Sequence, residues 1–84
     1  MLGQRRRQAD SRVARLTPRE RETLALVAQG QSNGAIAGTM GITRRAVERH
    51  INAIFSKLEL TDPVGKDRRV TAALLYLAEG DGAA

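Results

Sequence analysis

A helix-like apolar period in segment 42–60, ITRRAVERHINAIFSKLEL, constrains the fold of this chain more than any other feature. At about 100° per residue, four apolar residues fall on one stripe: Val47, Ile51, Ile54 and Leu58. Four polar residues fall on the opposite side: Arg45, Arg49, Asn52 and Ser56. We therefore predict an amphipathic helix with one side in the core. Its other side is either an ordinary solvated face or a set of guanidinium and amide groups that bind guanine and adenine edges.

The amino-acid composition restricts the core to aliphatic side chains. The chain has 84 residues, no Cys, one His, one Phe and one Tyr. Disulfides and thiolate metal sites are therefore excluded, and a zinc site would lack ligands. A core of Leu, Ile, Val and Ala in one small domain favours packed helices over a sheet. We predict an all-α protein with no metal and no cofactor.

Positive charge is concentrated in two places. The net charge is +5, and residues 1–16 contain five arginines against one aspartate. Positions 43–57 contain three arginines and one lysine against one glutamate. Such clustering favours a polyanionic partner. Because no apolar run reaches the roughly 20 residues of a membrane span, and no signal-peptide core is found, we expect a cytoplasmic protein without a membrane partner.

Two short helices are predicted before the amphipathic helix. Leu16-Thr17-Pro18-Arg19-Glu20 has the pattern of a capping box with Pro at the first helical position. Gly30 is expected to end this first helix in the left-handed conformation. A short second helix runs up to Gly41, where the chain turns, and Thr43 is the N-cap of the amphipathic helix. Two helices joined by a Gly-containing turn, the second of them basic on its outer side, form a helix-turn-helix.

The last predicted helix, about residues 67–78, follows a turn-forming connector and has two apolar faces. One face forms a stripe that we expect to pack inward: Val70, Ala73, Leu74 and Leu77. The other face lies on the far side, where a surface helix of a small domain should be polar: Ala72, Leu75 and Tyr76. A second apolar face requires a second partner, which is either another copy of the chain or its own N-terminal segment.

Residues 1–15 are basic and lack apolar periodicity, so we assign them to a linker or arm. This segment is either a solvated tail or an arm that lies on phosphates. The folded domain is assigned to residues 16–79 and a disordered tail to residues 80–84. The basic lead is either a cut connection to a domain that precedes this one or the start of a stand-alone protein.

A family resemblance is carried by residues spread over the three helices predicted first: Leu16-Thr17-Pro18-Arg19-Glu20, Glu22, Leu24, Gly30, Ser32-Asn33, Ile36-Ala37, Gly41-Ile42, Ala46-Val47, His50, Ile54 and Lys57-Leu58. In this spacing the chain resembles the LuxR-type (GerE-like) helix-turn-helix domain. That domain is the C-terminal output domain of NarL/FixJ-type response regulators and of quorum-sensing regulators. With the last helix, the resemblance covers about residues 16–78. It implies a four-helix bundle whose third helix enters the major groove of DNA and whose C-terminal helix forms a dimer on DNA.

The resemblance and the faces of the predicted helices together indicate which residues contact each partner. Base contacts fall on the exposed side of the third helix: Glu48, Arg49 and Asn52, with Arg45 beside them. Phosphate contacts fall on caps and flanking positions: Thr43, Arg44, Ser32, Asn33, Ser56 and Lys57. The dimer interface falls on the far side of the last helix: Ala72, Leu75, Tyr76 and Glu79. The expected partners are double-stranded DNA, with inverted or direct half-sites, and a second copy of the chain.

Two positions depart from the pattern that is usual in the family. Glu48 stands where Lys or Arg is common, and it either accepts from a cytosine amino group or pairs with Arg44 or Arg45 on its own helix. Gly34 stands where Lys or Glu is common, so that one side chain is missing from the side that faces DNA.

Two classes of function are consistent with these patterns. The first is sequence-specific DNA binding as the output domain of a transcriptional regulator. The second is a helical protein-interaction module that docks on RNA polymerase or on a partner regulator through the last helix. We expect no enzymatic activity, because the sequence contains no metal cluster, nucleophile–base pair or phosphate-binding glycine loop.

Overall fold

The computed structural model of the chain describes residues 12–60 and 65–80, and all regular structure in these ranges is helical. A short 3₁₀ turn at Arg12–Arg15 is followed by four α-helices: α1 (Pro18–Ala28), α2 (Asn33–Met40), α3 (Arg44–Lys57) and α4 (Gly65–Leu75). The chain continues from α4 into a π-helical turn at Tyr76–Gly80. The predicted all-α, four-helix fold is confirmed. The first part of the predicted connector, residues 61–64, and most of the predicted tail, residues 81–84, lie outside the described residues, and α4 begins at Gly65, two residues before its predicted start.

The start of α1 is fixed by the predicted capping box. Thr17 Oγ1 accepts a hydrogen bond from the Glu20 backbone N–H at 3.2 Å, and Glu20 Oε1 accepts one from the Thr17 backbone N–H at 3.0 Å. Pro18 occupies the first helical position, where no backbone N–H is needed. These bonds satisfy donors that the first turn of a helix leaves without partners, and they hold the Glu20 carboxylate close to the core.

The turn between α2 and α3 has the chemistry that the sequence predicts. Gly41 adopts the left-handed conformation with φ of +69°, which a residue with a Cβ adopts only at a cost in free energy. The backbone N–H of Ile42 then donates to the Ala37 carbonyl at 3.1 Å, and the side chain of Ile42 packs against the core. Thr43 Oγ1 accepts from the Ala46 backbone N–H at 3.0 Å and so begins α3. The predicted helix-turn-helix is confirmed.

The core forms where α1, α2 and α4 contact α3. The predicted stripe of α3 is buried throughout: Val47, Ile51, Ile54 and Leu58. Leu24 and Val27 from α1 and Ile36 from α2 belong to the same cluster. Because one side of α3 is enclosed in this way, the opposite side is directed to solvent. None of the helices in the described ranges is long and apolar enough to cross a membrane.

The prediction of which face of α4 packs inward was wrong. Val70, Leu74 and Leu77 are exposed, at 59%, 60% and 51% of their surface. Ala72 is only 1% exposed, and Leu75 and Tyr76 pack against the core with Ala73. Periodicity identifies two apolar faces but does not say which one fits the neighbouring helices. Ala72 and Ala73, one from each predicted face, both lie inward and allow close approach of another helix, whereas the bulkier Val70, Leu74 and Leu77 lie outside.

This reversal also corrects the predicted dimer interface. Ala72, Leu75 and Tyr76 are used within the domain's own core, and Glu79 beside them is half-buried and has an interaction within the chain. The Arg12–Arg15 turn contacts Tyr76–Gly80, which agrees with the alternative that the N-terminal segment covers this face. The exposed large apolar side chains of this C-terminal segment lie on the other side: Val70, Leu74 and Leu77.

The domain begins before residue 16, where the sequence placed its boundary. Val13 is 1% exposed and belongs to the core. Arg12 Nη1 donates to the Leu58 carbonyl at 2.9 Å, and Arg15 Nη1 pairs with Glu59 Oε2 at 3.0 Å. Both arginines therefore lie at the C-terminal end of α3, where cations are favoured by the helix dipole. The sequence missed this because one valine among arginines has no periodicity. Residues 1–11 lie outside the described residues.

We expect Val13→Ala to lower the free energy of unfolding by about 1.5–2 kcal/mol, because it removes two buried carbon atoms and leaves a small cavity. The matched control is Val70→Ala on the exposed face of α4, which should change stability by less than about 0.5 kcal/mol. Urea unfolding followed by circular dichroism, at a dilution where the chain is monomeric, measures both. Equal effects of the two variants would mean that residues 12–15 belong to the linker and not to the folded domain.

Candidate nucleic-acid interface

The exposed side of α3 carries the predicted base-contacting residues. Arg45, Arg49 and Asn52 are all exposed, because they stand opposite the buried stripe of the same helix. In the part of the chain that the structure describes, none of the three forms a hydrogen bond or ion pair within the domain. Ser56 extends the same side by one turn and is also exposed. Two guanidinium groups and one amide thus remain available to a partner along one helix face.

Glu48 flanks this face and is exposed. Arg44 and Arg45 lie within one turn of it, but neither forms an ion pair with it among the described residues. The alternative in which Glu48 is neutralised on its own helix is therefore not found. The face combines donors at Arg45, Arg49 and Asn52 with one acceptor at Glu48.

The N-cap residues of α2 and α3 lie at the same end of the motif as Arg44. Ser32 Oγ accepts from the Ala35 backbone N–H at 3.2 Å, and Thr43 Oγ1 accepts from Ala46 in the same way. Because each hydroxyl uses only an acceptor lone pair in its cap, its own proton remains available for donation. Both side chains are exposed, so they can cap a helix and still donate to a phosphate oxygen.

Asn33 and Lys57, two of the predicted phosphate-contacting residues, have partners within the chain. Asn33 Oδ1 accepts from Arg69 Nη1 at 2.8 Å, although its amide N–H groups remain as donors. Lys57 Nζ donates to Glu20 Oε1 at 2.7 Å, in an ion pair between α3 and α1. The Lys57 side chain is 36% exposed and lies on the flank of α3 rather than on its outer side. Lys57 therefore has a structural role between α3 and α1, and its predicted phosphate contact stays a prediction.

The ion pair of Lys57 also accounts for the acid strength of Glu20. Burial alone would raise the pKa of this carboxyl group. The hydrogen bond from the Lys57 ammonium, the bond from the Thr17 backbone N–H and the positive charge of Lys57 outweigh burial and lower the pKa of Glu20 below its ordinary value. Glu20 is thus ionised at neutral pH in a nearly buried position, which holds α1 and α3 together at one end.

Arg69 is a residue of this region to which no sequence pattern assigns a role. It reaches from α4 to the loop before α2, where its Nη2 donates to the Gln31 carbonyl at 2.7 Å and its Nη1 donates to Asn33. These bonds fix the entry to the helix-turn-helix. Local sequence offers no signal for them, because their partners are 36 and 38 positions away.

These features define a helix-turn-helix domain with a cationic and amide-bearing second helix, a class of protein that binds DNA through that helix. The sequence profile of the luxR family of bacterial regulatory proteins matches residues 14–65, which is more than half of the chain. The chain belongs to this family.

Two curated relatives illustrate the similarity. The transcriptional regulatory protein MctR of Rhizobium johnstonii is 46% identical over 50 residues, which are 60% of this chain and 23% of the relative. The response regulator protein VraR of Staphylococcus aureus is 49% identical over 47 residues, which are 56% of this chain and 22% of the relative. The aligned region thus spans less than a quarter of either relative. No solved structure gives a significant match.

Proposed function

We propose that this domain binds double-stranded DNA sequence-specifically, with α3 in the major groove, as the output domain of a transcriptional regulator. One observation carries the proposal: the buried stripe of α3 leaves Arg45, Arg49 and Asn52 exposed and without partners among the described residues, on the second helix of a helix-turn-helix. Membership of the luxR family of regulatory proteins supports the same function. Because its partner is chromosomal, we place the protein in the cytoplasm.

The chemistry of the exposed side chains suggests a role for each. Arg49 and Arg45 have the fork of donors that matches the O6 and N7 atoms of guanine, and the Asn52 amide matches N6 and N7 of adenine. Glu48 accepts from the N4 amino group of cytosine. Phosphate contacts are assigned to the remaining donors at the motif, of which Asn33 is half-buried and the others are exposed: Ser32, Asn33, Thr43, Arg44 and Ser56. These contacts fix the position of α3 on the duplex and do not themselves read sequence.

The names of the relatives suggest the wider context. One is a transcriptional regulatory protein and the other a response regulator, and each extends far beyond the aligned region. We propose that the present domain is likewise the output part of a response regulator, in which a separate domain receives the signal.

A homodimer on DNA is proposed through the exposed face of α4, defined by Val70 and Leu74 of the helix and Leu77 of the π-helical turn that continues it. Three large apolar side chains, each more than half exposed on one helix face, are the kind of surface that a second copy covers. A two-fold pair would present two copies of α3 to half-sites about one helical turn of DNA apart. The same face also suits the alternative function, docking on RNA polymerase or a partner regulator.

Selection of bound duplexes from a random pool, followed by a salt titration of the selected duplex, tests the proposed function. We expect a recurring motif with paired half-sites. The logarithm of the binding constant should fall by about 0.9 per phosphate contact for each tenfold rise in salt. Failure to enrich any motif, together with binding that salt does not affect, would contradict DNA binding and favour the protein-interaction module.

We expect Leu74→Glu to weaken binding to a duplex with paired half-sites by about tenfold while leaving binding to a single half-site nearly unchanged, because it places a carboxylate in the proposed dimer seam. Thr71→Glu adds the same charge to an exposed position of α4 outside the stripe and serves as the control. Gel-shift titrations on both duplexes measure the difference. If the two variants lose affinity equally, the exposed face of α4 is not the dimer interface.

A further inference from the structure

Gly34, in the first turn of α2, is covered by a side chain from the next helix. A Cβ atom built on Gly34 with ideal geometry would lie 2.7 Å from Arg44 Nη2, 3.5 Å from Cζ and 3.6 Å from Nε. The first distance is shorter than any ordinary carbon–nitrogen contact. The guanidinium of Arg44 therefore occupies the space that any side chain at position 34 would need.

We propose that Gly34 is a positioning residue for DNA binding: its missing side chain seats the Arg44 guanidinium at the junction of α2 and α3, where Arg44 contacts a phosphate of the duplex backbone. The inference rests on the proposed DNA-binding function and deepens it. The cation at this junction is then Arg44, which belongs to α3 but lies against α2. Without Gly34, Arg44 would keep its charge but lose this position.

The surroundings of Arg44 support a phosphate as the ligand group. Arg44 and Arg69 line one open groove beside Ser32 and Asn33, and the only acidic side chain that lines this groove, among the described residues, is Glu48. Arg69 is bound to the Gln31 carbonyl and to Asn33, so it holds the loop side of the groove in place. Arg44 has no partner among the described residues, and its guanidinium is free to form charge-assisted hydrogen bonds with an anion.

A side chain at position 34 should displace Arg44 without unfolding the domain. The clashing atom is the far end of a long, exposed side chain, which can rotate away, and the three heavy atoms nearest to the new Cβ all belong to that side chain. Alanine also favours the helical conformation more than glycine does. Any loss of DNA binding in Gly34→Ala would therefore come from the moved guanidinium and not from lost stability.

Gly38 offers a matched control within the same helix. A Cβ built on Gly38 meets nothing within 4 Å. Gly34→Ala and Gly38→Ala thus make the same chemical change in α2, and only the first one reaches Arg44. Both variants are made in the wild-type chain and in an Arg44→Ala background, which gives a double-mutant cycle for each glycine.

The measurement is a titration of each variant with the duplex selected by the wild type, at fixed salt and again across a salt series. In the wild-type background we expect Gly34→Ala to weaken binding about three- to tenfold, the scale of one displaced charge-assisted contact, with a smaller salt slope. In the Arg44→Ala background the same substitution should change affinity less than about twofold. Gly38→Ala should stay within about twofold in both backgrounds, and thermal unfolding should show no loss of stability in either glycine variant.

Equal losses from Gly34→Ala in the two backgrounds, or no loss in the wild-type background, would overturn the inference while leaving DNA binding intact. An Arg44→Ala variant that binds as tightly as the wild type would overturn it independently of whether Gly34→Ala folds. If the wild-type chain selects no duplex, the proposed function fails, and this inference fails with it.

Discussion

Replacing Arg49 by alanine is expected to weaken binding to the selected duplex by about 1–3 kcal/mol, which is roughly tenfold to a hundredfold in affinity. Arg49 stands at the centre of the exposed side of α3 and has no partner within the described chain, so its guanidinium is free to bond both acceptors of a guanine. Loss of a base contact should also relax the preference at one base pair of the motif. Random duplex, which offers only phosphate contacts, should lose much less.

Arg19→Ala is the control that distinguishes loss of a base contact in Arg49→Ala from loss of one positive charge. Arg19 is a half-exposed arginine on α1 that pairs with Glu22 at 3.3 Å, so its removal lowers the net charge by the same amount as Arg49→Ala. Competition titrations of both variants on selected and random duplex, at one salt concentration, give the comparison. If Arg49→Ala weakens binding to the two duplexes equally, Arg49 contacts phosphate rather than a base, and the orientation of α3 proposed above has to be revised.

The local parts of this site could be predicted from the sequence because each depends on neighbours within one or two turns. The capping box joins Thr17 and Glu20, and the caps of α2 and α3 likewise join residues three positions apart. The left-handed Gly41 bonds to a carbonyl four positions back. The buried stripe of α3 follows from its period alone, and with it the outward direction of Arg49 and Asn52. These elements place the exposed guanidinium and amide groups on the second helix of the motif.

The remaining parts depend on contacts between residues that are far apart in sequence. The inward face of α4 was predicted wrongly because Ala72 and Leu74 lie on faces of similar apolar character, and only the fit against the other helices selects one of them. Val13 enters the core from a segment without periodicity. Arg69 and Lys57 find partners 36 to 38 positions away. In each case the side chain has the chemistry that the contact requires, but only the fold determines which residue it contacts.

The ion pair between Lys57 and Glu20 gives a second prediction, in stability and its dependence on pH. Because the folded-state pKa of Glu20 is lowered, its contribution is present above the pKa of the unfolded chain and is lost as pH falls through the folded-state value. We expect Lys57→Met to lower the free energy of unfolding by about 2 kcal/mol at neutral pH. This is less than the 3–5 kcal/mol of a fully buried pair, since Lys57 is 36% exposed and partly screened.

The pH dependence of that loss distinguishes charge from packing. Without Lys57, the main interaction that lowers the pKa of Glu20 is lost, so burial raises this pKa. The ionised Glu20 carboxylate then lowers the free energy of unfolding near neutral pH. The difference between Lys57→Met and the wild type should therefore be largest near neutral pH and shrink in acid, where Glu20 is protonated in both. The double variant Glu20→Gln/Lys57→Met should recover much of the loss, because Gln keeps an acceptor for the Thr17 backbone N–H without a charge. Urea unfolding across pH measures the wild type and both variants, and a loss that is the same at every pH would mean that Lys57 does not act through the charge of Glu20.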